Sequence, residues 1–385
     1  MSDIKLTVEP YDPSDRAELL KGDARQGWQR LFENGLTVSD EQILIHSMFA
    51  QQQDRDGFRT YDELARRFQD TEREFRSYVA MSEGTIRALS KPRDMKVYTE
   101  RLGVAVAIIA ANEVTQITEA DWVKIGETNT SKTLDYEWRA SDGERFIRLE
   151  AKGSVTEGAT TRSNVSDAKK SIREKKETAR SGLTAPSVEY GLITLISTGD
   201  HRPTIFALDP PGPDEPLDPR RERLLGRLAY FASHLALVSR SKMVTVLRNR
   251  RNAIASLSDF DELDGLVLER SEGERFYLSR TFGNRPLVEL DGVVGRVLRP
   301  RRRPWDDDRP PYARFVGFER DLFEILVRQD FDEILAYRAA RRRRKMNVDL
   351  RSESGEPVGA MADFVVNTAG IAFGAVTPST FAEDW

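Results

Sequence analysis

The chain contains no cysteine. Disulfides and thiolate metal sites are therefore excluded, and a reducing cytoplasm is the simplest compartment for it. Histidine is nearly as scarce: His46, His201 and His234 stand far apart and offer no zinc-binding spacing. No run approaches the roughly 18 apolar residues of a membrane span, so no membrane partner is expected. The opening segment, MSDIKLTVEPYD, lacks the apolar core of a signal peptide. The phosphate-loop pattern GxxxxGK[ST] is missing, which argues against ATP-driven work, and no GxSxG elbow points to a serine hydrolase.

What is present is a chain of 385 residues, 39% hydrophobic and 32% charged. That is enough apolar material for two or three packed domains. The net charge of -4 does not mark a nucleic-acid binder. The distribution says more, because the field at a groove is local. Basic residues cluster at Arg248, Arg250 and Arg251, at Arg299 with Arg301 to Arg303, and at Arg341 to Lys345. Each cluster reads either as a solvated face or as a phosphate contact.

Three regions are expected. Residues 1–95 read as an irregular lead-in followed by a helical region, with Leu44, Ile45, Met48 and Phe49 on one apolar stripe. Within it, residues 60–68 and 82–89 read either as parts of a helix-turn-helix-like reader or as a plain helical bundle. Residues 96–210 combine an apolar helix, short strands and a basic helix. Pro210, Pro211, Pro213, Pro216 and Pro219 then mark a boundary. Residues 211–385 read as an α+β region of unassigned role: a long helix from Arg220, a strand meander over 265–297, a mostly helical stretch over 312–345, and a tail without a clear period. The expected fold class is α/β (α+β), a central mixed sheet flanked by helices.

The chemistry concentrates in one hairpin, Thr133 to Lys152. Asp142-Gly143 is a strong turn signal, because both residues tolerate the positive φ of a type I′ turn. A two-residue loop there sets Asp135 opposite Glu150 and Glu137 opposite Arg148. Alternation then sends Leu134, Tyr136, Trp138, Ile147, Leu149 and Ala151 to an apolar face. Asp135, Glu137, Arg148, Glu150 and Lys152 share the other. Directly opposed side chains have Cβ atoms about 4.5–5.5 Å apart, and two carboxylates so placed repel unless a cation lies between them. Oxygen donors at this density suit Mg²⁺ or Mn²⁺. Lys152 is placed to act on a metal-bound water or on phosphate charge. The competing reading is an ordinary half-exposed hairpin with a charged outer face.

The context of this hairpin resembles the PD-(D/E)xK nuclease superfamily, the restriction-endonuclease-like fold. The family core runs helix, three antiparallel strands, helix, strand. Val97 to Ala111 matches the first helix and Trp122 to Ile125 the first strand. Thr133 to Trp138 and Phe146 to Lys152 match the second and third. Ser166 to Arg180 matches the second helix, Gly191 to Ile196 the next strand, and Thr204 to Ala207 a further one. Leu134 stands where the family's proline would be. The resemblance implies Asp135 and Glu150 as metal ligands, the backbone carbonyl of Ala151 as a third, and Lys152 as the catalytic lysine. A first-helix glutamate is common in the family, and Glu100, then Glu113, is the candidate for it. The resemblance also implies a Mg²⁺-dependent endonuclease acting on nucleic acid, with DNA favoured, in restriction, repair or anti-phage defence. Possible partners are then a second copy of the chain (a homo-oligomer) or a defence-system protein. The alternative is the same fold used without catalysis as a nucleic-acid or protein-binding module.

Lys169, Arg173, Lys176 and Arg180 recur at spacings of four, three and four, one stripe of the second helix. The stripe is a candidate nucleic-acid contact, which would make binding salt-dependent. Glu174 and Glu177 nearby support a solvated face instead.

Overall fold

The computed structural model describes residues 2–21, 24–49, 72–82, 84–124, 136–144, 146–178, 187–208, 218–238, 242–257, 281–282, 285–298, 313–328, 330–351 and 357–378. The described residues up to Gly226 form one compact unit and those from Arg227 onward form another.

The first unit is a mixed α/β structure in three layers. Its sheet takes strands β1 (Asp3–Pro10), β2 (Leu36–Ser39), β5 (Val123–Lys124), β6 (Tyr136–Ser141), β7 (Phe146–Thr156), β8 (Ser187–Ser197) and β9 (Thr204–Leu208) in the order β2-β1-β9-β8-β7-β6-β5. β5, β6 and β7 form an antiparallel meander. β7 and β8 are parallel, joined by a crossover that contains helix α6 (Ser166–Thr178). β9 runs antiparallel to β8 and parallel to β1. β8 and β9 are buried on both faces, as a central strand of a covered sheet must be.

Helix α5 (Lys96–Thr115) covers one face. Fourteen of its residues are buried, from Tyr98 to Val114, so it is apolar nearly all round, the pattern of an enclosed helix. It approaches β7 backbone to backbone. A Cβ on Gly153 would lie 1.6 Å from the Thr99 carbonyl oxygen, and one on Gly103 would lie 2.5 Å from Gly153 N. Helix α2 (Arg25–Asn34) joins the same layer, its Trp28 ring 5.1 Å from Tyr190 of β8. On the opposite face α6 sets Ile172 above Gly191, within a core of Val165, Ile172, Ile193, Leu195, Phe206 and Leu208. Full burial of each such aliphatic or aromatic side chain is worth about 1.5–3 kcal/mol, so this apolar contact, rather than any surface ion pair, seats α6.

Residues 1–95 are not the helical region expected. Besides α1 (Pro13–Leu19), α2, α3 (Asp40–Phe49) and the helical residues 72–78 (α4), they supply β1 and β2 to the main sheet. The alternating burial of Ile4, Leu6 and Val8 is the strand signal. Residues 82–89 are not a recognition helix either. They belong to a hairpin of β3 (Val79–Ser82) and β4 (Thr85–Ala88), with Gly84 at φ 76° in its turn. Residues 60–68 lie outside the described residues.

The second unit holds the end of α7 (Pro219–Val238), with α8 (Lys242–Ala255), α9 (Arg320–Arg328) and α10 (Phe331–Ala336). Beside the short pair β10 (Thr281–Phe282) and β11 (Arg285–Pro286), it has a six-stranded antiparallel sheet. That sheet comprises β12 (Val288–Leu290), β13 (Val293–Leu298), β14 (Ala313–Glu319), β15 (Arg342–Arg351), β16 (Pro357–Val366) and β17 (Ile371–Pro378), in the order β12-β13-β14-β17-β16-β15. One face carries a core with Phe315, Phe364 and Val376. Fully buried Arg227 donates to the carbonyls of Ile334 (2.6 Å) and Tyr337 (2.8 Å), satisfying the end of α10. The tail thus holds the end of β15 and all of β16 and β17, and 312–345 is strand, two short helices and strand rather than mostly helix. The basic run Arg341 to Lys345 falls largely on edge strand β15. There Arg342 pairs with Glu319, Arg343 with Asp363 and Arg344 with Asp291.

Candidate active site

The β6–β7 hairpin is wider than its sequence signal suggests. Ser141 pairs with Phe146, leaving four residues, 142–145, in the loop. A type I′ turn needs positive φ at both central residues, and here Gly143 has it (98°) while Asp142 does not. Side chains hold the wider loop: Ser141 Oγ accepts from Gly143 N and Asp142 Oδ1 from Glu144 N, each at 3.0 Å. The register therefore moves by two. Glu137, not Asp135, lies opposite Glu150, and Arg139, not Glu137, lies opposite Arg148. An even shift leaves every β7 side chain on its expected face.

Arg148 and Arg139 face each other, a repulsive pair in isolation. Each is drawn to a carboxylate: Arg148 to Glu189 of β8 at 3.6 Å, and Arg139 to Glu222 of α7 at 2.9 Å. Arg148 and Glu189 are register partners across the parallel β7–β8 step.

Glu150 and Lys152 lie two residues apart on β7, on the face that α6 covers. Glu150 is only 3% exposed. Lys152 Nζ stands 4.0 Å from Glu150 Oε1 and donates a 2.7 Å hydrogen bond to Ser171 Oγ of α6. Ser171 has no signal in the sequence, since a lone serine in a charged helix becomes informative only once α6 is docked on β7. Ala151, between the two, turns its methyl into the α5 face and is 1% exposed. Asp135 lies outside the described residues.

Of the two first-helix glutamates, Glu100 follows Thr99, the residue whose carbonyl abuts Gly153, and so lies where α5 crosses β7 next to Lys152. Glu113 is ten residues beyond Gly103, about 15 Å further along the helix axis, and is not brought to the site. Among the described residues no group of three or more His, Asp or Glu side chains is gathered to hold a metal ion.

The basic stripe of α6 is partly occupied. Lys169 binds Asp12, lies 3.6 Å from Asp15 and sits 3.9 Å above the Tyr11 ring. Arg173 reaches Asp15 at 3.4 Å and Asp12 at 3.6 Å. These contacts fasten the start of α1 to α6. Burial would raise the Asp12 carboxyl, but the Lys169 hydrogen bond and the Asp15 amide outweigh it and hold the group at about 2. Burial, followed by the neighbouring Asp12 charge, raises Asp15 above its usual range. Lys169 and Arg173 therefore have a structural task that their spacing does not reveal. The Lys176 side chain and Arg180 lie outside what is described.

The two histidines that sit in apolar helical stretches are buried. His46 bonds the Gln42 carbonyl at 2.7 Å and faces Glu119 at 3.7 Å. His234 bonds the Tyr230 carbonyl at 2.9 Å.

No family model matches the chain, and no curated protein or solved structure matches it. Among the described residues no helix is long and apolar enough to cross a membrane.

Proposed function

We propose that the first unit is a metal-dependent nuclease centred on Glu150 and Lys152, with Asp135 as the second carboxylate and DNA as the favoured substrate. The observation that carries this reading is the juxtaposition of Glu150 and Lys152, 4.0 Å apart on one face of the interior strand β7. The chain order supports it: α5, the meander β5-β6-β7, the crossover through α6, then β8 parallel to β7. That is the helix, three-strand, helix, strand order of the PD-(D/E)xK family.

A hard oxygen donor beside a lysine is the right kind of donor set for Mg²⁺ or Mn²⁺. Glu150 would hold the ion together with Asp135 and the Ala151 carbonyl, with Glu100 as a further candidate ligand. A bound ion supplies Lewis-acid polarisation of the phosphate and a water of lowered pKa. Lys152 carries its charge beside that carboxylate, where it can stabilise developing charge on a phosphoryl oxygen, and Ser171 fixes where the ammonium sits. Lys169 and Arg173 reach phosphates only by giving up Asp12 and Asp15. A second copy of the chain or a defence-system protein is the partner this reading favours, in a restriction, repair or anti-phage setting.

A second reading has its own observation. Glu150 is 3% exposed and Lys152 is already tied to Ser171, an arrangement that also suits a scaffold binding nucleic acid or protein without catalysis. One experiment separates the two. Plasmid, linear and single-stranded DNA and RNA are incubated with the protein and Mg²⁺ or Mn²⁺, with and without excess EDTA. Cleavage that EDTA stops, and that Glu150→Ala and Lys152→Ala both lack, supports the nuclease. Binding without cleavage, unchanged in both variants, supports the scaffold.

A further inference from the structure

Away from β7, the first unit contains a cavity of about 480 Å³ at the open edge of β1. β2 pairs with Asp3 to Leu6 and β9 lies on the other side of β1, so among the described residues no strand borders Thr7 to Pro10 on the β2 side. Helices α1 and α2 wall this gap instead. α1 contributes Arg16, with Leu20 at its C-cap; α2 contributes Arg25, Gln29, Phe32 and Glu33, spaced i, i+4, i+7 and i+8. Arg162, in the turn before α6, completes the rim with Glu9 of β1.

Arg16, Arg25 and Arg162 are exposed, and among the described residues none of the three guanidinium groups makes a hydrogen bond or ion pair. Elsewhere in this unit Arg139, Arg148, Arg173 and Arg223 are each held by a carboxylate. Three unengaged forks around one cavity favour an anion with several oxygens, and guanidinium geometry matches phosphate. The space is too large for one inorganic ion and falls in the range of small-molecule sites, about 300–1,000 Å³. Phe32, half-buried and stacked on Trp28 at 5.8 Å, offers an aromatic wall. Glu9 and the second oxygen of Glu33, whose Oε1 accepts from Gln29 at 3.0 Å, add acceptors that can meet N–H or O–H donors on the same ligand.

We propose that this notch binds a nucleoside phosphate: the phosphate on Arg16, Arg25 and Arg162, the base against Phe32, and its amino or sugar hydroxyl donors toward Glu9 and Glu33. Such a group comes either as a free nucleotide or as the 5′-phosphorylated end of a strand. The assignment does not depend on the chemistry at Glu150.

Equilibrium dialysis in EDTA would use ADP, inorganic pyrophosphate and a 5′-phosphorylated tetranucleotide. It would compare wild type, Arg16→Ala/Arg162→Ala, Arg25→Ala and Glu150→Ala, each checked for an unchanged circular dichroism spectrum. ADP or the tetranucleotide should bind with a dissociation constant below about 1 mM and weaken about tenfold in both arginine variants, with Glu150→Ala unaffected. Preference for ADP identifies a free nucleotide; preference for the tetranucleotide identifies a strand end. The proposal is overturned if neither binds, if pyrophosphate binds as well as both, or if Glu150→Ala loses binding that the arginine variants keep.

Discussion

Lys152 Nζ donates a 2.7 Å hydrogen bond to Ser171 Oγ, joining the interior strand β7 to the helix that crosses over it. The bond orients an ammonium that is 13% exposed and 4.0 Å from the Glu150 carboxylate. Hydrogen bonds to charged groups contribute about 1.5–3 kcal/mol, so Ser171→Ala should lower stability by that order. Urea unfolding measures it. Ser171→Thr, which keeps the hydroxyl, should restore most of the loss. If Ser171→Ala unfolds at the wild-type midpoint, the lysine is held by its other surroundings.

Among the described glycines of the first unit, Gly153 has the least room for a side chain, against Thr99. A Cβ at Gly153 would sit 1.6 Å from a carbonyl oxygen that belongs to helix backbone and cannot rotate away. Gly153→Ala must therefore push α5 off β7, at a cost of about 3 kcal/mol or more. A methyl group at Gly158 would meet no atom within 4 Å, and the backbone there does not have positive φ. Gly158→Ala should stay within about 0.5 kcal/mol of wild type. Thermal unfolding of the two variants side by side checks the contrast.

The sequence is most legible where its pattern is local and strong. The apolar residues of α5 announce themselves, and α5 begins and ends within a few residues of its apolar run, whereas the two units divide at Gly226, inside α7 rather than at the Pro-rich segment. The hairpin register is lost to a detail of turn chemistry: the Ser141 and Asp142 side chains accept backbone amides and widen the loop by two residues. The final strands escape notice because their inward positions include Ala360, Ala362 and Ala372, which give a weak apolar alternation. Residues 82–89 read as helix because a four-residue strand carries too few residues to show its period. The Asp12–Lys169 contact links residues 157 positions apart, so no spacing rule reaches it. Asp135, on which the sequence reading leans most heavily, lies outside the described residues.

Ion binding at Glu150 has a readout independent of cleavage. A cation that binds the folded protein and not the unfolded chain raises the melting temperature by mass action. Mg²⁺ or Mn²⁺ at about 100 times its dissociation constant should add about 2.7 kcal/mol to wild type. Glu150→Gln removes the ligand charge and should abolish the increment. Differential scanning calorimetry with and without metal measures it, and an equal increment in Glu150→Gln would move the ion elsewhere.

The contact between α1 and α6 predicts an acid limb with two opposed parts. Asp15 is raised above its ordinary value of 3.8 by burial and by the adjacent Asp12. As pH falls through that raised value towards 3.8, the folded chain takes up a proton before the unfolded one, and stability rises. Asp12 is depressed to about 2, held down by Lys169 against its burial. Its contribution is fully present above 3.8 and is lost as pH falls from there towards 2, because the unfolded chain is protonated first. Stability against pH should therefore carry a shallow gain above pH 3.8, followed by a loss below it. Lys169→Gln removes the hydrogen bond and charge that depress Asp12, and so should flatten the loss below 3.8. The exposed neighbour Lys170, 3.6 Å from Glu174, serves as the control. Lys170→Gln should leave the acid limb unchanged, since solvent screens that pair. Denaturant midpoints for the three proteins between pH 2 and pH 6 provide the measurement. Identical acid limbs in wild type and Lys169→Gln would show that Asp12 owes its acidity to something other than the lysine.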